Sequence, residues 1–94
     1  MVRIVGLTWD QEAEDHIARH SVDPDEVEEA VQNVRYAKRS NSYLLVLGQA
    51  ESGRYLAVVL DYEGDGFWYP VTARDATSRE RRLLNRRARG RGNR

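Results

Sequence analysis

"YLLVLGQAESGRYLAVVLDYEGDGFWYPVTA", Tyr43 to Ala73, holds three apolar runs separated by two turn-forming stretches. Each run is short and rich in β-branched or aromatic residues, the pattern of strands rather than helices. "QAESG" and "EGDG" supply the turns, so the runs are expected to pair as an antiparallel meander. Pro70 lacks the N–H that a central ladder position would donate, which predicts a bulge or an edge position there. A parallel sheet would need a crossover helix between these strands, and the short connections leave no room for one.

Upstream of the meander the period changes. Arg3 to Leu7 reads as a first short strand. Asp10 then caps a helix in which Trp9, Ala13, His16, Ile17 and His20 share one side, leaving Gln11, Glu12, Glu14 and Asp15 to water. "VDPDEV", Val22 to Val27, opens a second helix, with Asp23 as N-cap, Pro24 at the first helical position and Glu26 closing a capping box. Val27, Ala30, Val31 and Val34 form its apolar stripe, and Ala37 to Ser42 is a polar connection into the meander. Downstream, Thr77 and Glu80 repeat the capping-box spacing and open a last helix bearing Leu83, Leu84 and Ala88.

The predicted class is therefore α+β, in the order β-α-α-β-β-β-α. Two N-terminal helices pack on one face of an antiparallel sheet, and a basic C-terminal helix lies near the other. Ninety-four residues suit a single domain, taken as 1–88, with the basic tail 89–94 fraying. The absence of cysteine excludes disulfides and thiolate chemistry. No apolar run approaches membrane-spanning length, and the start turns acidic within ten residues, unlike a signal peptide. A cytoplasmic protein without membrane contact is the expectation.

The net charge of zero conceals a polarity. Trp9 to Glu29 carries nine acids against Arg19 alone, whereas Arg74 to Arg94 carries nine arginines against Asp75 and Glu80. Like charges at neighbouring helical positions repel unless something anionic meets them, so the arginine-rich end reads as a binding surface.

Three stretches together resemble the BrnT-type toxins of bacterial toxin-antitoxin modules, small relatives of the RelE/ParE fold. They are "TWDQEAEDHIARHSVDPDEVEEA" at Thr8 to Ala30, "LGQAESGRYLAVV" at Leu47 to Val59 and "TARDATSRE" at Thr72 to Glu80. The resemblance implies a RelE-like fold and the toxin component of a type II module. Such a toxin is an endoribonuclease that cleaves RNA to inhibit translation and is neutralised by a cognate antitoxin, with promoter DNA bound through the antitoxin complex. Position by position, Trp9 and Asp10 match the family's opening pair, His20 its histidine, Gly53 and Arg54 its strand-entry pair, and Arg74, Ala76, Thr77 and Glu80 its closing motif. Tyr69 stands where the family usually has an arginine, Thr72 replaces a serine, and Ser21 follows the histidine where a glycine is common.

Metal-free RNA cleavage needs a 2′-hydroxyl deprotonated, charge on the phosphorus stabilised and the leaving 5′-oxygen protonated. The forked, permanently charged guanidinium suits the second task, which nominates Arg74 and Arg54. His20 and Tyr69 are the candidates for proton transfer, though His16 and His20 also read as a structural pair. Arg79, Arg81, Arg82 and Arg86 are the candidates for holding RNA. The four-residue spacing of the histidines matches a zinc-binding helix, but neither the intervening glutamate nor a third ligand is present, so no metal or cofactor is expected. Two non-catalytic readings stand beside the nuclease: a toxin-like module that binds an antitoxin or nucleic acid without cleaving, and a plain nucleic-acid-binding domain.

Overall fold

The three apolar runs form the antiparallel meander that their turns require. In a computed structural model describing residues 3–84, the order is β1 (Gly6–Leu7), α1 (Gln11–Ala18), α2 (Pro24–Gln32), β2 (Val34–Ser40), β3 (Tyr43–Gln49), β4 (Tyr55–Gly64) and β5 (Phe67–Asp75). A last helix, α3, occupies residues 78–84. Arg86, Ala88 and the tail 89–94 lie outside the described residues. The five strands make one sheet ordered β1-β5-β4-β3-β2. Asp65 and Gly66, both at positive φ (58° and 85°), turn β4 into β5.

Pro70 sits at a bulge inside the sheet. Val59 pairs with Thr72 but Leu60 with Pro70, so Val71 is the extra residue, and the residue without an N–H stands beside the break in the ladder.

Three expectations need correction. Val34 does not complete the stripe of α2, and Ala37 to Ser42 is not a bare connection: Val34–Ser40 is a strand, β2, paired antiparallel to β3. Val34 is 39% exposed. β2 is an edge strand open to solvent along nearly its whole length, so burial imposed no alternation on its sequence. The second correction concerns β1, which is two residues long and joins β5 in parallel, making the sheet mixed. Both helices intervene between β1 and β5, which provides the crossover that a parallel pair demands. Third, His20 does not extend α1. The helix ends at Ala18, and His20 lies exposed in the following turn, its ring centroid 5.7 Å from that of His16.

α1 and α2 cover one sheet face as predicted. Ile17, Val27 and Ala30 bury fully against Leu44, Val46, Leu56, Val58 and Trp68. Each large aliphatic side chain removed from water contributes about 1.5–3 kcal/mol, which makes this layer the principal source of stability. The indole N–H of Trp68 is satisfied by the Arg3 carbonyl at 3.0 Å. On the other face, Leu84 of α3 packs on Leu47 and Ala57.

The end of α2 is seated by Gly48. A Cβ at this position would stand 2.0 Å from the Ala30 carbonyl oxygen and 3.1 Å from that of Asn33. The backbone of α2 thus rests directly on β3. Asn33 Nδ2 donates to the Gln49 carbonyl at 3.2 Å beside it.

Candidate functional site

The register of β4 against β5 decides which charged residues meet. Leu56 pairs with Asp75 and Ala57 with Arg74, and the Ala76 N–H donates to the Tyr55 carbonyl at 2.9 Å. The start of β4 and the end of β5 therefore share one end of the sheet, with α3 starting just beyond. A cleft of about 380 Å³ opens there, lined by Gly53, Arg54, Tyr55, Asp75, Ala76 and Arg81. Gly53 adopts φ 97°, a conformation costly for other residues, as the loop from Ala50 re-enters β4.

Arg54 is held by three acceptors. Its Nε donates to Asp75 Oδ1 at 2.6 Å, and its Nη1 to Glu26 Oε1 at 2.9 Å and to the Ser21 carbonyl at 2.8 Å. Glu26 Oε1 also accepts the Asp23 N–H at 3.0 Å, so the residue closing the cap of α2 doubles as an ion-pair partner. The Arg54 guanidinium holds the Asp75 carboxyl below its ordinary range, and the same bond to Asp75 is the largest influence raising the pKa of Arg54.

Arg74 faces the other way. Its partner Ala57 belongs to the α3 side of the sheet, whereas Arg54 reaches the α1–α2 turn and α2. Arg74 forms a two-pronged pair with Glu80, Nη1 to Oε1 at 2.8 Å and Nη2 to Oε2 at 3.0 Å. Glu80 simultaneously accepts the Thr77 N–H at 2.8 Å and returns its own N–H to Thr77 Oγ1 at 3.1 Å, the reciprocal capping box that its spacing predicts. The bond to Arg74 lowers the Glu80 pKa most, and burial opposes it.

The two arginines predicted to act together thus lie on opposite faces of the same sheet end. Asp75 joins them, its carboxylate to Arg54 and its carbonyl oxygen to Arg74 Nη1 at 3.1 Å. Sequence reasoning did not single out Asp75, Tyr55 or the second role of Glu26. The only signal was the register, which becomes visible once the bulge at Pro70 is placed.

His20 precedes Ser21, whose carbonyl grips Arg54, so the α1–α2 turn does reach this end of the sheet. Tyr69 does not. It pairs with Asp61, four residues along β4 from Ala57, hence roughly 13 Å from Arg74 on the same face. Its hydroxyl donates to Asp10 Oδ1 at 2.9 Å. That bond, some burial and the charges of Asp10, Glu12 and Glu63 raise its pKa. The position where the resemblance expects an arginine thus lies among acids. Asp10 also caps α1 through the Ala13 N–H at 2.8 Å, and Trp9 Nε1 donates to Glu28 at 2.8 Å, tying α1 to α2.

Arg79, Arg81 and Arg82 are exposed on α3. Arg81 Cζ stands 5.5 Å above the centre of the Tyr55 ring. Among the described residues, no three histidine, aspartate or glutamate side chains gather as a metal-holding group, and no helix is long and apolar enough to cross a membrane.

No model of a known protein family matches the chain. No curated protein matches it either. Among solved structures, the crystal structure of the ribonuclease toxin BrnT from Brucella abortus matches with a TM-score of 0.55, covering 83% of this chain and 100% of that one at 20% sequence identity. The order of helices and strands that the meander and caps dictate is therefore that of an α+β, BrnT-like toxin fold.

Proposed function

We propose that this chain is the toxin of a type II toxin-antitoxin module, a metal-independent endoribonuclease that inhibits translation and is neutralised in the cytoplasm by a cognate antitoxin protein. The observation that carries this reading is that Arg54, Arg74 and Arg81 all stand at one sheet end, Arg54 and Arg74 on its two faces and joined through Asp75, in a protein with the fold of a ribonuclease toxin. Arginines at such an end match the need of a cleaved phosphodiester for fixed positive charge as the phosphorus becomes pentacoordinate. In this reading Arg74 and Arg54 stabilise that charge, and His20 serves proton transfer. Arg79, Arg81, Arg82 and Arg86 hold the backbone of the RNA. Tyr69 lies too far along β5 to share in the step, and its hydroxyl serves Asp10 instead.

One specific observation favours a second reading, a toxin-like module that binds an antitoxin or nucleic acid without cleaving. Arg54 and Arg74 are each engaged by carboxylates of their own chain, and Tyr69 lies among acids. A phosphate must displace these partners to be gripped.

Induced expression of the chain alone in bacteria, beside Arg74→Ala, decides between them, with growth and RNA ends as the readouts. The nuclease reading expects growth arrest with new RNA ends that Arg74→Ala abolishes. Soluble, folded protein with neither arrest nor new ends leaves the binding module.

A further inference from the structure

The arginines bordering the cleft are not equivalent. Arg54 is saturated by Glu26, Asp75 and Ser21, and Arg74, behind Asp75, by Glu80. Arg81 has no carboxylate partner among the described residues, and its guanidinium lies over the Tyr55 ring instead. Tyr55 is half-buried and braced from beneath by the cluster of Leu47, Ala57 and Leu84, so its ring is a fixed platform. The residues beside it are among the smallest, Gly53 and Ala76, and the space they leave lies at the lower end of the range for small-molecule sites. A flat aromatic group with an anionic attachment is what such a surface recognises. The ring offers a π-face, the guanidinium a second plane, and the unpaired charge an attraction for phosphate.

We infer that Tyr55 and Arg81 form a nucleobase clamp, in which the exposed Arg81 guanidinium lifts from the Tyr55 ring and one unpaired base of single-stranded RNA enters the cleft and stacks between the two. The inference rests on the reading of this sheet end as an RNA site, and it adds what that reading lacks, a contact to a base rather than to phosphate. Stacking is tolerant of base identity because every base has a π-face, so the clamp fixes the position of a nucleotide more than its sequence. With one base held there, an adjoining phosphate can reach Arg54, which lines the same cleft.

The test compares two fluorescently labelled probes of equal length, a 2′-O-methyl oligoadenylate, which lacks the hydroxyl needed for cleavage, and the corresponding abasic ribose-phosphate chain. Binding of both to the full chain is read by anisotropy. The clamp predicts that the oligoadenylate binds about tenfold more tightly than the abasic chain, the scale of one stacked base. Tyr55→Leu, which keeps apolar packing against Leu47 and Ala57, should erase that preference, and Tyr55→Phe should keep it. Equal binding of the two probes by the wild-type chain overturns the clamp while leaving an RNA-binding surface standing, and this arm needs no variant to fold. A preference that survives in folded Tyr55→Leu overturns it as well. Binding of neither probe removes the RNA reading itself.

Discussion

Arg54 Nε and Asp75 Oδ1 meet at 2.6 Å across the end of the sheet, and the same Asp75 offers its carbonyl to Arg74. One acidic residue therefore holds two cations that lie on opposite faces. Because the Asp75 side chain is 67% exposed, the pair contributes little to stability, and Asp75→Asn should lower it by less than about 1 kcal/mol. Freeing Arg54 should instead strengthen binding of single-stranded RNA about threefold at low salt, with the gain shrinking as salt rises. Anisotropy titrations at two ionic strengths check both statements. Weaker binding in the folded variant would show that Asp75 orients Arg54 for its ligand rather than competing with that ligand.

Acid should loosen the α3 end of the protein first. Glu80 and Asp75 both titrate below their ordinary values of 4.5 and 3.8, because Arg74 and Arg54 stabilise the carboxylates. A lowered folded value means that the contribution is complete above the ordinary value and is lost as pH falls through the folded one. Chemical denaturation between pH 7 and pH 3 should show stability falling below about pH 4.5, less steeply in Glu80→Gln. The same variant should be less stable at pH 7, since an amide forms a weaker pair with Arg74 and a weaker cap.

Tyr69 should remain a proton donor well into the alkaline range. Its hydroxyl already serves Asp10, and nearby carboxylates oppose a phenolate, raising the pKa above the ordinary 10.0. The difference between ultraviolet titrations of the wild type and Tyr69→Phe isolates this group among the five tyrosines. A midpoint at or below 10.0 would contradict the acidic setting described here.

Gly48→Ala should be among the most damaging single-methyl changes in the chain. The added carbon would lie 2.0 Å from a backbone oxygen of α2, and neither the helix nor β3 can yield without disturbing the core between them. A loss of roughly 2–4 kcal/mol is expected from urea unfolding, at the upper end for overpacking. An effect below about 0.5 kcal/mol would mean that α2 is not seated on β3 as described.

The meander, the bulge at Pro70 and the caps at Asp10, Asp23 and Thr77 were legible because each rests on local chemistry: alternation, a missing donor, an oxygen at the right spacing. β2 was not, since a strand exposed on nearly every residue carries no burial signal, and "VRYAKRS" reads as a polar linker. The parallel β1 was hidden for a related reason. Two residues cannot display a period, and their partner lies some sixty positions away. At the candidate site, Arg54 and Arg74 could be named from residue type and motif position. Their placement on opposite faces depends on the strand register, as does the acidic setting of Tyr69. Ser21 adopts a left-handed φ of 59°, which gives a physical meaning to the glycine common at that place in BrnT-type sequences.

The pairing of Gly6 and Leu7 with Phe67 and Trp68 also governs how the chain can be made. The first strand and the first helices emerge early in synthesis, yet the strand beside β1 and the indole that fills the core beneath the helices come some sixty residues later. Contacts of such long sequence separation form late, because the loop entropy must be met before any of them is gained. An unfinished polypeptide therefore has neither a closed sheet nor the Arg54–Asp75–Arg74 junction. Whatever this sheet end does begins only after β5 and the start of α3 have been made.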